Sequence, residues 1–278
     1  MKVAVMGAGA VGGYFGGVLA RFGEDVSLIE MGEHLDAIKR GGLRLSTNWG
    51  DFTVNPPATS DPAEVGPVDL ILYTVKTYSS DVVLPLIRPM VGPRATILTV
   101  QNGVTSYSRI ASVYGPERVL PGAAYIETGR PEPGRIRQTG STARIEFGEI
   151  DGRITPRVRE VERLFSKEGI QVRVSTDIES ALWTKLVAVG AIGTVMAVTR
   201  ASLPEVFAAA EGERTIRTVM EEIVAVGTAK GVRLAPDVVE GHMASAKAEM
   251  EAYQASLQQD LEAGRPLEID DILGAAVR

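Results

Sequence analysis

Apolar residues run unbroken through residues 3–6 and give way to Gly7-Ala8-Gly9-Ala10-Val11-Gly12. From there to residue 22 apolar positions recur at helical spacing until Gly23 stops them. A second apolar run, 26–30, ends in Glu30, and helical spacing over 33–40 is closed by Gly41-Gly42. Continuous apolar runs at 68–75 and 95–100 suit strands buried on both faces, with Val82, Val83, Leu86 and Ile87 placing a helix between them. Strand and helix patterns that alternate in this way predict a parallel sheet joined by right-handed crossovers. Two stretches depart from the rhythm. Residues 43–47 and 52–54, joined across Asn48-Trp49-Gly50-Asp51, predict an inserted hairpin. From 123 to 150, short alternating segments such as 135–137 and 144–147, separated by Pro-Glu-Pro-Gly and Thr-Gly-Ser turns, predict antiparallel strands that extend the sheet. A helix over 156–167, ended near Gly169, and a last strand, 172–174, complete this half. Ser175, Thr176 and Asp177 are capping candidates at the start of the C-terminal remainder, whose spacing is helical throughout. The expected division is therefore 1–175 and 176–278, with a crevice facing the carboxyl ends of the strands.

Composition narrows the partners. The chain has 278 residues, 45% of them apolar and 23% charged, with a net charge of −6. No basic cluster stands out, which argues against nucleic acid. The absence of cysteine excludes disulfides and thiolate chemistry, and two histidines, His34 and His242, are too few for a metal cluster, so no metal is expected. Both are read as ordinary surface or helix residues. A core strand at the very start leaves no room for a signal peptide and points to the cytoplasm. The most apolar stretch, 186–198, spans 13 residues and suits a buried helix better than a membrane span, which needs about 20.

The candidate chemistry begins at the glycine turn. A GxGxxG between a strand and a helix is a dinucleotide signature. Its glycines permit the tight turn, the approach of a pyrophosphate and close helix packing, while the helix start offers free N–H groups. The predicted class is thus α/β, an N-terminal Rossmann doubly wound sheet with a C-terminal all-α domain. Gly7, Ala8, Gly9, Ala10, Val11 and Gly12 are the cofactor candidates. Glu30 ends the second strand about 20 residues on, where ribose hydroxyls should lie. Three further phrases fall near strand ends or early in the helical half: Lys76, Gln101-Asn102-Gly103, and Trp183-Thr184-Lys185-Leu186. Only seven of the 29 basic residues are lysine, yet Lys76 and Lys185 keep a titratable ammonium. Lys185 also sits among apolar neighbours, where a bare charge needs a partner.

These phrases, together with Ser256-Leu257-Gln258-Gln259-Asp260 and Glu268-Ile269-Asp270, occur in an order that resembles the ketopantoate reductase family across nearly the whole chain. The resemblance implies NAD(P)H-dependent reduction of a small 2-oxo acid to a 2-hydroxy acid. It implies Lys185 as general acid, with Asn102 and Glu268 completing the catalytic set. Lys76 and Asn102 would order nicotinamide and substrate, and Ser256 and Glu268 would contact substrate or lysine. Three features differ from the family pattern. Val189 and Gly193, on the Lys185 face of one helix, stand where the family typically carries asparagines, so Val189 becomes a substrate-lining candidate and a more apolar 2-oxo or 2-hydroxy acid stays open. Glu30-Met31 stands where an arginine often pairs with a 2′-phosphate, which favours NAD(H) and leaves NADP(H) open. Relatives usually continue with further helix beyond the Glu-Ile-Asp phrase, which leaves two expectations open: a shortened chain, or a smaller substrate domain completed by a partner subunit. Apolar helices rich in small residues suggest a homodimer, and a non-catalytic dinucleotide-binding relative is the remaining alternative.

Overall fold

A computed structural model describes residues 1–278 except Glu249 and Ala252. The chain forms two compact units, one of residues 1–101 and 106–178, the other of residues 102–105 and 179–278. Four residues in the N-terminal half therefore belong to the helical unit, which chain order alone would not assign.

The first unit runs β1 (Lys2–Met6), α1 (Ala10–Arg21), β2 (Asp25–Ile29), α2 (Gly32–Gly41), β3 (Leu43–Thr47), β4 (Gly50–Val54), β5 (Ala58–Thr59), α3 (Pro62–Val65), β6 (Val68–Tyr73) and α4 (Ser80–Leu86). It continues with β7 (Val91–Thr99), α5 (Ser106–Tyr114), β8 (Val119–Glu132), β9 (Arg135–Phe147), α6 (Pro156–Phe165) and β10 (Gln171–Val174). The strands make one mixed sheet in the order β4-β3-β9-β8-β7-β6-β1-β2-β5, with β10 paired to β9. The run β5-β2-β1-β6-β7-β8 is parallel throughout, the doubly wound arrangement in which the order reverses between β1 and β6. Both faces are covered, which is why the central strands read as unbroken apolar runs. Val3, Val5, Leu70 and Leu72 pack with Tyr14, Phe15 and Val18 of α1 and Phe165 of α6. Ala4, Met6, Ile71 and Tyr73 pack on the other face with Leu84 of α4 and Ile110 of α5.

The inserted hairpin forms as expected, β3 against β4. The region from 123 to 150 differs from the short strands expected there. β8 and β9 are two long strands of 14 and 13 residues, and the Thr139-Gly140-Ser141 segment that reads as a turn lies inside β9. The pairing jumps from Ile126↔Ala143 to Thr128↔Gln138, so the extra residues are accommodated as an irregularity while the ladder resumes beyond it.

The second unit contains α7 (Ile178–Thr199), α8 (Leu203–Ala208), α9 (Gly212–Ala229), α10 (Val238–Ala248), α11 (Ser256–Glu262) and α12 (Leu273–Val277). Its core gathers Trp183, Leu186, Val187 and Ile192 of α7 with Ile216, Met220 and Ile223 of α9 and Met243 of α10. At 22 residues α7 is longer than the apolar stretch suggested, and by length and composition alone it could cross a membrane. Its packing in this core is that of a central helix of a bundle.

Candidate functional site

In the first unit the sheet order reverses at the carboxyl ends of β1 and β6, and the glycine turn leaves β1 there. Gly7 has φ +94°, and a Cβ on it would lie 2.8 Å from Val75 Cγ1. A Cβ on Gly12 would stand 2.2 Å from the Gly7 carbonyl oxygen and 2.4 Å from Thr74 Oγ1. Both glycines are thus required by the chain's own packing. Gly9 is not: a Cβ there meets nothing within 4 Å. The Gly7 and Ala8 amides donate to the Ile29 carbonyl at 3.0 and 3.2 Å, and Thr74 Oγ1 donates to the Gly7 carbonyl at 2.8 Å. The turn is therefore held from β2 and β6. Helix α1 begins at Ala10 with Gly9 as its cap and no side-chain cap on its first turn, and the space beside Gly9 is open.

Glu30 follows β2, half-buried, and its carboxylate accepts the Met31 amide at 3.1 Å. Met31 is 71% exposed. Lys76 follows β6 and is half-buried. Gln101, at the end of β7, is buried. Its amide donates to the Val75 carbonyl at 2.7 Å and to Ser80 Oγ at 3.1 Å, fixing the segment that carries Lys76. Residue identity alone assigns no role to Thr74 or Gln101, yet they shape this end of the sheet.

The helical unit holds the second cluster. Lys185 is on α7 and its Nζ donates to Asn102 Oδ1 at 3.0 Å. Asn102 is there because residues 102–105 belong to this unit. The next residue, Gly103, has φ +90°, and a Cβ on it would lie 2.1 Å from the Asp271 carbonyl oxygen. Only glycine lets the two segments touch so closely. Glu268, buried at 6% exposure, begins the turn in which its carbonyl accepts the amides of Asp271 and Ile272. Burial draws the Lys185 pKa down to about 8, while the Glu268 carboxylate pulls it back up. Asp260 and Arg265, paired at 2.7 Å, tie α11 to the loop leading to Glu268. Lys185, Asn102 and Glu268 are thus brought together.

Ser256 opens α11 and is exposed. A Cβ on Gly193 would be 3.7 Å from Ala255 Cβ and 3.9 Å from Leu257 Cβ, so the start of α11 lies along the α7 stripe of Lys185, Val189 and Gly193. Val189 is half-buried on that stripe.

Both histidines lie on helices as expected, His34 on α2 and His242 on α10, but neither is an exposed surface residue. His34 is 3% exposed and its Nε2 lies 3.0 Å from the Ala8 carbonyl; His242 is half-buried with Nε2 2.9 Å from the Thr184 carbonyl, next to Lys185. Burial lowers the pKa of each. Neither partner is close in sequence, so only the fold reveals them.

The family model described as "Ketopantoate reductase PanE/ApbA" matches residues 3–152, and that of the corresponding C-terminal region matches 177–278. A 2-dehydropantoate 2-reductase of Mesorhizobium japonicum is 32% identical over 99% of this chain and 90% of its own length. The crystal structure of a 2-dehydropantoate 2-reductase from Geobacter metallireducens is similar at TM-score 0.94 and 33% identity, over 100% of this chain and 92% of that one. A PanE/ApbA family ketopantoate reductase structure from Ralstonia eutropha gives TM-score 0.92 at 34% identity, over 100% and 91%.

Proposed function

Because the chain belongs to the ketopantoate reductase family of oxidoreductases, we propose that it reduces a small 2-oxo acid to the 2-hydroxy acid with a nicotinamide dinucleotide. The first unit fits that coenzyme: the free space at Gly9 and the uncapped first turn of α1 would take the pyrophosphate, and Glu30 the ribose hydroxyls. When bound, the reduced nicotinamide supplies a hydride.

The observation that carries the reading is the desolvated Lys185 ammonium, held at Asn102 with the Glu268 carboxylate acting on it. Reduction of a ketone places negative charge on its oxygen. An ammonium about 3 Å away stabilises that charge and then gives up a proton. With a pKa of about 8, Lys185 is mostly charged at neutral pH and yields its proton more readily than an ordinary lysine. Asn102 fixes the direction of the ammonium, and Glu268 favours its charged form. Lys76 would order the nicotinamide, and Ser256 the substrate. Glu30 favours NAD(H), since a carboxylate accepts from a ribose diol and repels a 2′-phosphate.

A second reading concerns the substrate. Val189, Gly193, Ala255 and Leu257 form an apolar stripe whose own side chains, unlike that of Ser256 beside them, offer no donor to a hydroxyl, which supports a 2-oxo acid with a plain alkyl or aryl group. Oxidation of NADH and of NADPH, followed with a panel of 2-oxo acids that includes ketopantoate, tests both readings. Turnover with at least one acid is expected. None with either coenzyme would overturn the reductase assignment in favour of a non-catalytic relative.

A further inference from the structure

His34 is bonded on both sides of its ring. The Gly134 amide, in the turn between β8 and β9, donates to Nδ1 at 2.8 Å, so Nδ1 must be without a proton. The proton is then on Nε2, which donates to the Ala8 carbonyl at 3.0 Å. This leaves a buried neutral imidazole of one fixed tautomer, spanning from the β8–β9 turn to the second residue of the glycine loop. Ala8 needs such support. Its amide is already used by Ile29, but the residue after it, Gly9, has no Cβ contact with the protein, and α1 starts only at Ala10. A side chain thus grips the loop at the Ala8 carbonyl, one residue beyond the Gly7 carbonyl that Thr74 holds.

We propose that His34 is a positioning residue for the dinucleotide loop: as the neutral Nε2–H imidazole it fixes the Ala8 carbonyl, and through it the orientation of the following amides. The inference rests on the reading of the first unit as a coenzyme site. Protonation would put a hydrogen on Nδ1 facing the Gly134 N–H, breaking one bond and pushing the ring and the β8–β9 turn apart. Burial disfavours the charged form most, the bond to the Ala8 carbonyl favours it, Arg130 of β8 opposes it, and Glu30, just after β2, favours it. Glu132, at the end of β8, is engaged by Arg44 and Arg135. Loop order, and with it coenzyme affinity, should fall on the acid side as His34 gains its proton.

The test uses His34→Gln, whose amide can donate to Ala8 and accept from Gly134 without titrating, and His34→Leu, which can do neither. Dissociation constants for NADH and NADPH are measured by fluorescence from pH 5 to 8, together with ring nitrogen shifts of His34 and amide exchange at residues 9–12 without coenzyme. Expected are a bare Nδ1 at pH 7 and a dissociation constant at least tenfold weaker for Leu but within about threefold of wild type for Gln. Exchange at residues 9–12 should be faster in the Leu protein only, and acid weakening should be present in wild type and absent from Gln. Should the Leu protein fail to fold, the Gln protein and the wild-type ring shifts still decide. A protonated Nδ1 at pH 7, Leu binding as tightly as wild type, or a Gln protein that keeps the acid weakening overturns the proposal. A wild type that binds neither coenzyme overturns the coenzyme reading itself, and this one with it.

Discussion

Glu268→Gln separates two roles for that carboxylate. The fall of the Lys185 pKa from 10.5 to about 8 corresponds to roughly 3 kcal/mol against the charged form, and it is the net of desolvation and the opposing pull of Glu268. Removing an opposite charge at short range shifts a pKa by about 1–3 pH units, so in the Gln variant Lys185 should titrate between about 5 and 7. Reduction needs the ammonium and is lost as pH rises through that value. At pH 7 a group of pKa 8 is about 90% charged and one of pKa 6 about 10%, which makes the expected loss about tenfold. The assay is kcat and kcat/KM for the best 2-oxo acid from pH 5 to 9.5. The alkaline limb should move to lower pH, with rates near those of wild type recovered on the acid side. A limb that stays near 8, or an equal loss at every pH, would refute electrostatic support of Lys185 and leave Glu268 as a substrate contact.

Lys185→Met should lower turnover at least a hundredfold while leaving coenzyme affinity nearly unchanged. It should also raise Tm at pH 7, because the charge penalty of the native state is present below about pH 8 and disappears as pH climbs toward 10.5; a lower Tm at pH 7 would count against the burial argument. Gly9→Ala should keep the wild-type Tm and weaken coenzyme binding tenfold or more, whereas Gly12→Ala, forced against the Gly7 carbonyl and Thr74, should lower Tm by several degrees; calorimetry with a binding titration distinguishes them. NADH should bind more tightly than NADPH, and Glu30→Ala with Met31→Arg should shift the preference toward NADPH; tighter NADPH binding by wild type would mean that a nearby basic residue overrides Glu30. Gly193→Asn, whose Cβ has ordinary contact distances, should raise relative kcat/KM on ketopantoate over a plain branched acid, and a wild-type preference of a hundredfold for ketopantoate would refute the apolar stripe.

The parallel half of the sheet was legible because strands covered on both faces leave no polar alternation to confuse: Val3, Ala4, Val5 and Met6 point to alternate cores and are all apolar. The long β8–β9 pair was not, since Thr139-Gly140-Ser141 carries turn chemistry and only pairing across the ladder makes it an irregularity within a strand. Lys185, Asn102 and Glu268 could be marked as chemistry by phrase and apolar context, but their meeting depends on contacts far apart in the chain. His34 gave no signal, because its two partners are backbone groups, and a carbonyl or an amide leaves no trace in residue identity.

The close touch of Gly103 on the Asp271 carbonyl has a genetic consequence. The helical unit is not written as one continuous stretch: four of its residues, including the acceptor for Lys185, are encoded inside the sequence of the other unit. A fragment cut at the apparent boundary would carry the lysine without Asn102, leaving its ammonium short of one partner in a desolvating place. Shuffling helical halves among relatives would run into the same difficulty, since a foreign half would have to accept a resident Asn102-Gly103 against its own turn. Recombination would therefore be expected to respect two sequence windows, one near 102–105 and one near 268–272, that must be inherited as a pair although much of the gene lies between them.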